Sequence, residues 1–151
     1  MIISASDLQI SLDDANEEGL FKWLVASFLM GKRIQGAIAA KAYQVIVEKH
    51  QRDTPRKLAR CTHRELVAML GEAHYVRYDE STASRLLTLA HKLNNEYAGK
   101  MRNIVEVSAD RREFEKRLLA FDGVGPKTVE IFMREAGDVI FWTHTIFGEI
   151  R

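Results

Sequence analysis

Residues 118–137 read Leu-Leu-Ala-Phe-Asp-Gly-Val-Gly-Pro-Lys-Thr-Val-Glu-Ile-Phe-Met-Arg-Glu-Ala-Gly. Phe114, Leu118 and Phe121 recur at helical spacing before the glycines, and an apolar-periodic run follows Pro126. Proline suits a first helical position, because the N–H it lacks has no partner there anyway. The pattern predicts a helix from Ser108 to Phe121, a tight turn at 122–125, and a second helix over 126–136 closed by Gly137. Gly123 and Gly125 allow positive φ and the close approach of another backbone, and Val124 between them points into the junction. The first amides of the second helix lack internal partners and sit at the positive end of its dipole. That combination is an anion site that a nucleic-acid phosphate fits, holding a backbone without reading a base. A plain helical hairpin with a glycine cap is the other reading of a lone Gly-x-Gly.

Working outward, the rest of the chain also predicts helices. Residues 1–16 lack a period and read as an irregular lead-in. From Glu17, the residues Leu20, Phe21, Leu24, Val25, Phe28 and Leu29 form a wide apolar stripe that Gly31 ends. An alanine-rich helix is expected over 34–50. Thr54-Pro55 opens a short helical turn, and Thr62-His63-Arg64-Glu65 is a capping box for a helix closed by Gly71. A loop over 72–80 carries Tyr75 and Tyr78, a long helix spans 81–97, and 103–107 is expected to be extended. Asp138 to Trp142 is a short apolar run. The expected fold is all-α, a single domain over 1–151 of about six or seven packed helices.

Composition narrows the function classes. The chain has 151 residues, 46% hydrophobic and 28% charged, with a net charge of +1. A chain of this length buries roughly 68–70% of its unfolded surface without staples. One cysteine, Cys61, excludes an internal disulfide and any four-thiolate site. No run nears the ~18 apolar residues of a membrane span, and no apolar leader is recognisable, so a reducing cytoplasmic, nucleoid or nuclear setting is expected, with no secretion. No histidine pair has metal-ligand spacing, and no metal is expected. The near-neutral total hides an asymmetry: residues 1–19 carry five acids and no Lys or Arg, whereas residues 49–64 carry six basic residues and one acid. A basic face of that kind attracts phosphates, although surface charges on helices produce the same count.

The string Gly-Val-Gly-Pro-Lys-Thr in its helical frame resembles the helix-hairpin-helix, here 109–137, of the endonuclease III-like DNA glycosylase superfamily. The stretch Leu-Val-Ala-Ser-Phe-Leu-Met-Gly-Lys-Arg-Ile-Gln resembles its first long helix and Gln-bearing loop. Leu70-Gly71, the tyrosine-rich loop and the helix after it resemble the segment before the hairpin. Val139 to Phe147 resembles its Val-Asp-Thr-His-Ile-Phe stretch. The likeness implies a monomer that acts on damaged or abasic double-stranded DNA in base-excision repair. Gly123, Val124, Gly125 and Thr128 would hold its phosphates, with a monovalent cation on the turn carbonyls. Lys127 would attack C1′ of an extruded nucleotide as a Schiff-base nucleophile, and the helix dipole would favour its free amine. A phosphate-contacting cation is the plainer role for that lysine. Arg33 and Gln35 would fill the gap left by the nucleotide, and Tyr75, Tyr78 and Trp142 are candidates for the base pocket. Two departures stand out. Trp142 replaces the family's essential Asp, with Asp138 and Glu149 the nearest carboxylates, and the four-cysteine iron–sulfur loop is absent. They open the alternative of a binding module that grips DNA without cutting it.

Overall fold

The computed structural model describes residues 2–150, with side chains as far as Phe141. Eight α-helices follow in order: α1 (Glu17–Met30), α2 (Gly36–Tyr43), α3 (Pro55–Ala59), α4 (His63–Glu72), α5 (Asp79–Tyr97), α6 (Met101–Glu106), α7 (Arg111–Leu119) and α8 (Pro126–Ile150). Among the described residues there is no strand. The all-α expectation is correct, and the buried side chains form one contiguous cluster.

Helix α1 is the central element. It packs against α2, α6 and α8, while α3 and α4 pack on α5 and α7 packs on α8. Every residue of α1 from Leu20 to Leu29 except Lys22 is buried, so the expected stripe is in fact an apolar surface almost all round. A helix of that kind belongs inside a fold. Trp23 fixes α1 to α8, its indole N–H donating to the carbonyl of Phe132 at 3.1 Å.

Local chemistry explains several boundaries. Thr54 accepts from the Lys57 amide at the start of α3. The Thr62–Glu65 capping box forms in both directions. Other boundaries differ from the sequence pattern. Helix α7 begins at Arg111 because Asp110, not Ser108, accepts from the Glu113 amide; the Ser108 hydroxyl instead donates back to Ile104. The segment expected to be extended over 103–107 is instead the second half of α6 and the turn that ends it. Met101 and Ile104 are buried one turn apart, and the Glu17 carboxylate accepts from the Met101 and Arg102 amides at 2.6 and 3.0 Å, capping α6 from across the fold. Gly71 lies within α4, where a side chain at that position would meet open space. The helix expected over 34–50 starts at Gly36 and widens into a π-helical turn at Gln44–Lys49.

Gly137 does not end α8. It is buried within the helix, where an added Cβ would come within 2.9–3.1 Å of the end of the Arg111 side chain of α7. The lead-in is irregular but packed: Leu8, Ile10 and Leu12 are buried, and the Ala5 amide donates to the Glu135 carboxylate at 2.9 Å.

Candidate functional site

The turn between α7 and α8 meets the C-terminal end of α1 and the side of α5. Gly123 has φ +82°, in the region that favours glycine. A Cβ there would lie 2.7 Å from Arg85 Cδ and 3.1 Å from Phe28 Cε2, so conformation and space both demand glycine. The Val124 side chain is buried and its amide donates to Phe121 at 3.1 Å, which closes the turn. Gly125 differs. An added Cβ would find nothing within 4 Å, and its φ lies outside the left-handed range. Here the missing side chain opens the surface and serves no packing need.

The amides that follow are unspent. Pro126 has none, and those of Gly125, Lys127 and Thr128 have no backbone acceptor among the described residues; the first amide of α8 that does is Val129, bonded to Gly125. Three N–H groups therefore border one helix start, where the dipole favours an anion. They open onto a shallow depression of about 370 Å³ bordered by Gly31, Lys32, Arg85, Gly125 and Lys127 among others.

The surrounding charge is mainly positive. Arg85 Nε lies 3.9 Å from Asp122 Oδ1, and Lys127 Nζ lies 3.8 Å from Glu130 Oε1, all four side chains being well exposed. Pairs so loose and solvated neutralise little. Arg33 is exposed in the 31–35 connection next to Lys32, and Gln35 is exposed at the start of α2 with no capping bond from its side chain. Lys32 joins that connection to the turn. Its Nζ donates to the Gly123 carbonyl at 3.0 Å and lies 5.1 Å from the centre of the Phe28 ring. Partial burial lowers the Lys32 pKa, Arg85 adds to the effect, and Asp122 opposes it.

Two expectations for the site need correction. Tyr75 is fully buried and lines no base pocket. Its hydroxyl donates to the Leu29 carbonyl at 3.0 Å, one of the four that the end of α1 leaves unpaired, and burial pushes the phenol up to about 12. The Thr128 side chain is buried too; its hydroxyl lies where a Cβ on Gly31 would stand, so the residue packs the start of α8 against the end of α1. Asp138 is no substitute for the missing Asp, because eleven residues of continuous helix put it roughly 16 Å along α8 from Lys127. The monovalent cation does not fit. The Gly123 carbonyl already receives an ammonium and the Phe121 carbonyl receives the Val124 amide, and a charged amine at the first repels a second cation.

Tyr78 remains exposed at the start of α5, with φ 63° and its ring 5.2 Å from the Arg77 guanidinium. It precedes Arg85 by seven residues, about 10 Å along the axis of α5. Trp142 and Glu149 lie outside the residues whose side chains are described. The structure thus brings Gly123, Val124, Gly125 and Lys127 together with the connection carrying Arg33 and Gln35. It adds Lys32 and Arg85, two residues that no periodicity distinguishes from ordinary surface cations. Among the described residues, no group of His, Cys, Asp and Glu side chains converges as metal ligands, and no helix is long and apolar enough to cross a membrane. Compared with models of known families, with curated proteins and with solved structures, the chain matches none.

Proposed function

We propose that the 122–128 turn and the 31–35 connection grip the phosphate backbone of duplex DNA, and that Lys127 acts there as a Schiff-base nucleophile on abasic or damaged sites in base excision. The observation that carries the reading is the set of unpaired amides at Gly125, Lys127 and Thr128. They lie beside a glycine with open space above it, amid Lys32, Arg85 and Lys127. Amides hold a phosphate whatever the sequence, and the cations draw the duplex in by releasing counterions. The Lys127 amine borders the same depression, so a held backbone brings a sugar within its reach. The likeness of residues 118–137 to the glycosylase hairpin supports the same chemistry.

A second reading, DNA binding without cleavage, has its own support. Lys127 is 63% exposed and beside Glu130, the depression it borders is open to solvent, and Trp142 stands where the likeness calls for an acid. Borohydride trapping with abasic duplex separates the two. A covalent adduct that is lost in Lys127→Ala supports the lyase. Salt-sensitive binding without an adduct supports the module. Affinity that ignores salt between low and physiological ionic strength refutes both.

A further inference from the structure

We infer that Lys32 is the turn's own cation: its ammonium, held on the Gly123 carbonyl, shapes the α7–α8 turn so that neither the turn nor its grip on an anion depends on bound potassium or sodium. The geometry behind this is independent of DNA. Nζ is 3.0 Å from the Gly123 oxygen and over the Phe28 ring. The lysine stem leaves the chain just past the last turn of α1, whose end Tyr75 fixes from the other side through Leu29. Gly123 is hemmed in by Arg85 and Phe28 on the side where a Cβ would stand, and its φ of +82° is one that few other residues adopt. A charged donor on a carbonyl makes a stronger bond than a neutral one. The ring face and the carbonyl both favour the ammonium, which offsets part of its desolvation.

The same bond bears on anion binding. With Lys32 drawing the Gly123 carbonyl toward α1, the unpaired amides beyond it at Gly125 and Lys127 are left beside the depression. Lys32 is therefore a positioning residue, and Arg33 beside it remains free to meet a phosphate. Only this part of the inference rests on the DNA reading.

The test has two arms. In the first, hydrogen exchange of the Val124 and Val129 amides, both paired in the turn, is followed without DNA in potassium chloride and in choline chloride at equal ionic strength. The wild-type rates are expected to agree within twofold. In Lys32→Met, which keeps the apolar stem over Phe28, both amides are expected to exchange about tenfold faster, or about 1.4 kcal/mol. Leu66, bonded to Thr62 in α4, serves as the distant control. Potassium-dependent protection in the wild type, unchanged rates in Lys32→Met, or equal acceleration at Leu66 would each overturn the inference. The second arm measures duplex binding by anisotropy in the two salts, where a wild-type Kd equal within twofold is expected and a tenfold loss in choline overturns it. Absence of binding in both salts refutes the DNA reading, and the exchange rates then decide the role of Lys32 by themselves.

Discussion

Gly125→Asp should strengthen the fold and weaken the grip on DNA, and the opposite signs make it the most informative single change. Gly125 precedes the first residue of α8, its φ is compatible with a side chain, and a Cβ meets nothing within 4 Å. An aspartate there accepts from the amide of Lys127 or Thr128. As a helix cap it gains a few tenths of a kcal/mol over glycine. Its charge at the positive end of the helix adds about 0.3–1 kcal/mol, and removing glycine's freedom in the unfolded chain adds about 0.4–1 kcal/mol. The sum is about 1–2 kcal/mol, or roughly 2–8 °C in Tm for a chain of this size. For the proposed binding, the same carboxylate takes a donor assigned to phosphate and repels the anion. Losing one hydrogen bond to a charged group costs about 1.5–3 kcal/mol, which is roughly a 10- to 150-fold rise in Kd. Calorimetry and anisotropy with an abasic duplex read the two effects on one preparation. A variant with raised Tm that binds DNA within threefold of the wild type would refute the role of these amides. A lowered Tm would refute the claim that this glycine is there for access and not for packing.

Three other outcomes are expected. Arg33→Ala should flatten the plot of log affinity against log salt by about 0.9, the equivalent of one phosphate; an unchanged slope would remove Arg33 from the interface. Tyr75→Phe should cost about 1–3 kcal/mol, because it leaves a buried carbonyl without its partner, and a variant with unaltered Tm would contradict the capping role. Stability should fall as acidification protonates the caps. Glu65 is held below its usual value of 4.5 chiefly by the Thr62 amide, and Glu113 chiefly by the Ala109 amide. A depressed carboxylate contributes stability that is present above about pH 4.5 and lost as pH falls through its lowered folded value. A Tm that holds or rises from pH 5 to pH 3 would contradict this, and Thr62→Ala should make the decline shallower.

What the sequence makes legible is what its chemistry keeps local. The Thr62 capping box is complete within four residues, and Thr54-Pro55 within two. The Gly-Val-Gly-Pro turn carries its own reasons, one glycine for conformation and one for access. Helix α6 is hidden because its cap is a carboxylate 84 residues earlier in the chain. Gly137 reads as a stop signal, since a stop and a mid-helix close approach present the same letter. Tyr75 reads as a pocket residue because its partner, the Leu29 carbonyl, is backbone and leaves no trace in residue type. Lys32 is hidden for the same reason, bonded to the carbonyl of Gly123 and not to an acid.

These backbone partners divide the labour around α1. Trp23 bonds Phe132, Tyr75 bonds Leu29 and Lys32 bonds Gly123, so one buried helix sets the position of α8, of the 74–78 loop and of the turn. Each bond ends on a carbonyl, and donors outnumber acceptors among the groups left over nearby: the free amides, Arg33, Arg85 and Lys127 against the exposed carboxylates of Asp122 and Glu130. A junction that spends carbonyl acceptors internally and leaves an excess of donors outward is suited to an anion. That imbalance follows from how the fold is held together and needs no reference to catalysis. Changes to the outward donors should therefore alter binding with little effect on stability, and changes to the inward bonds should unsettle both.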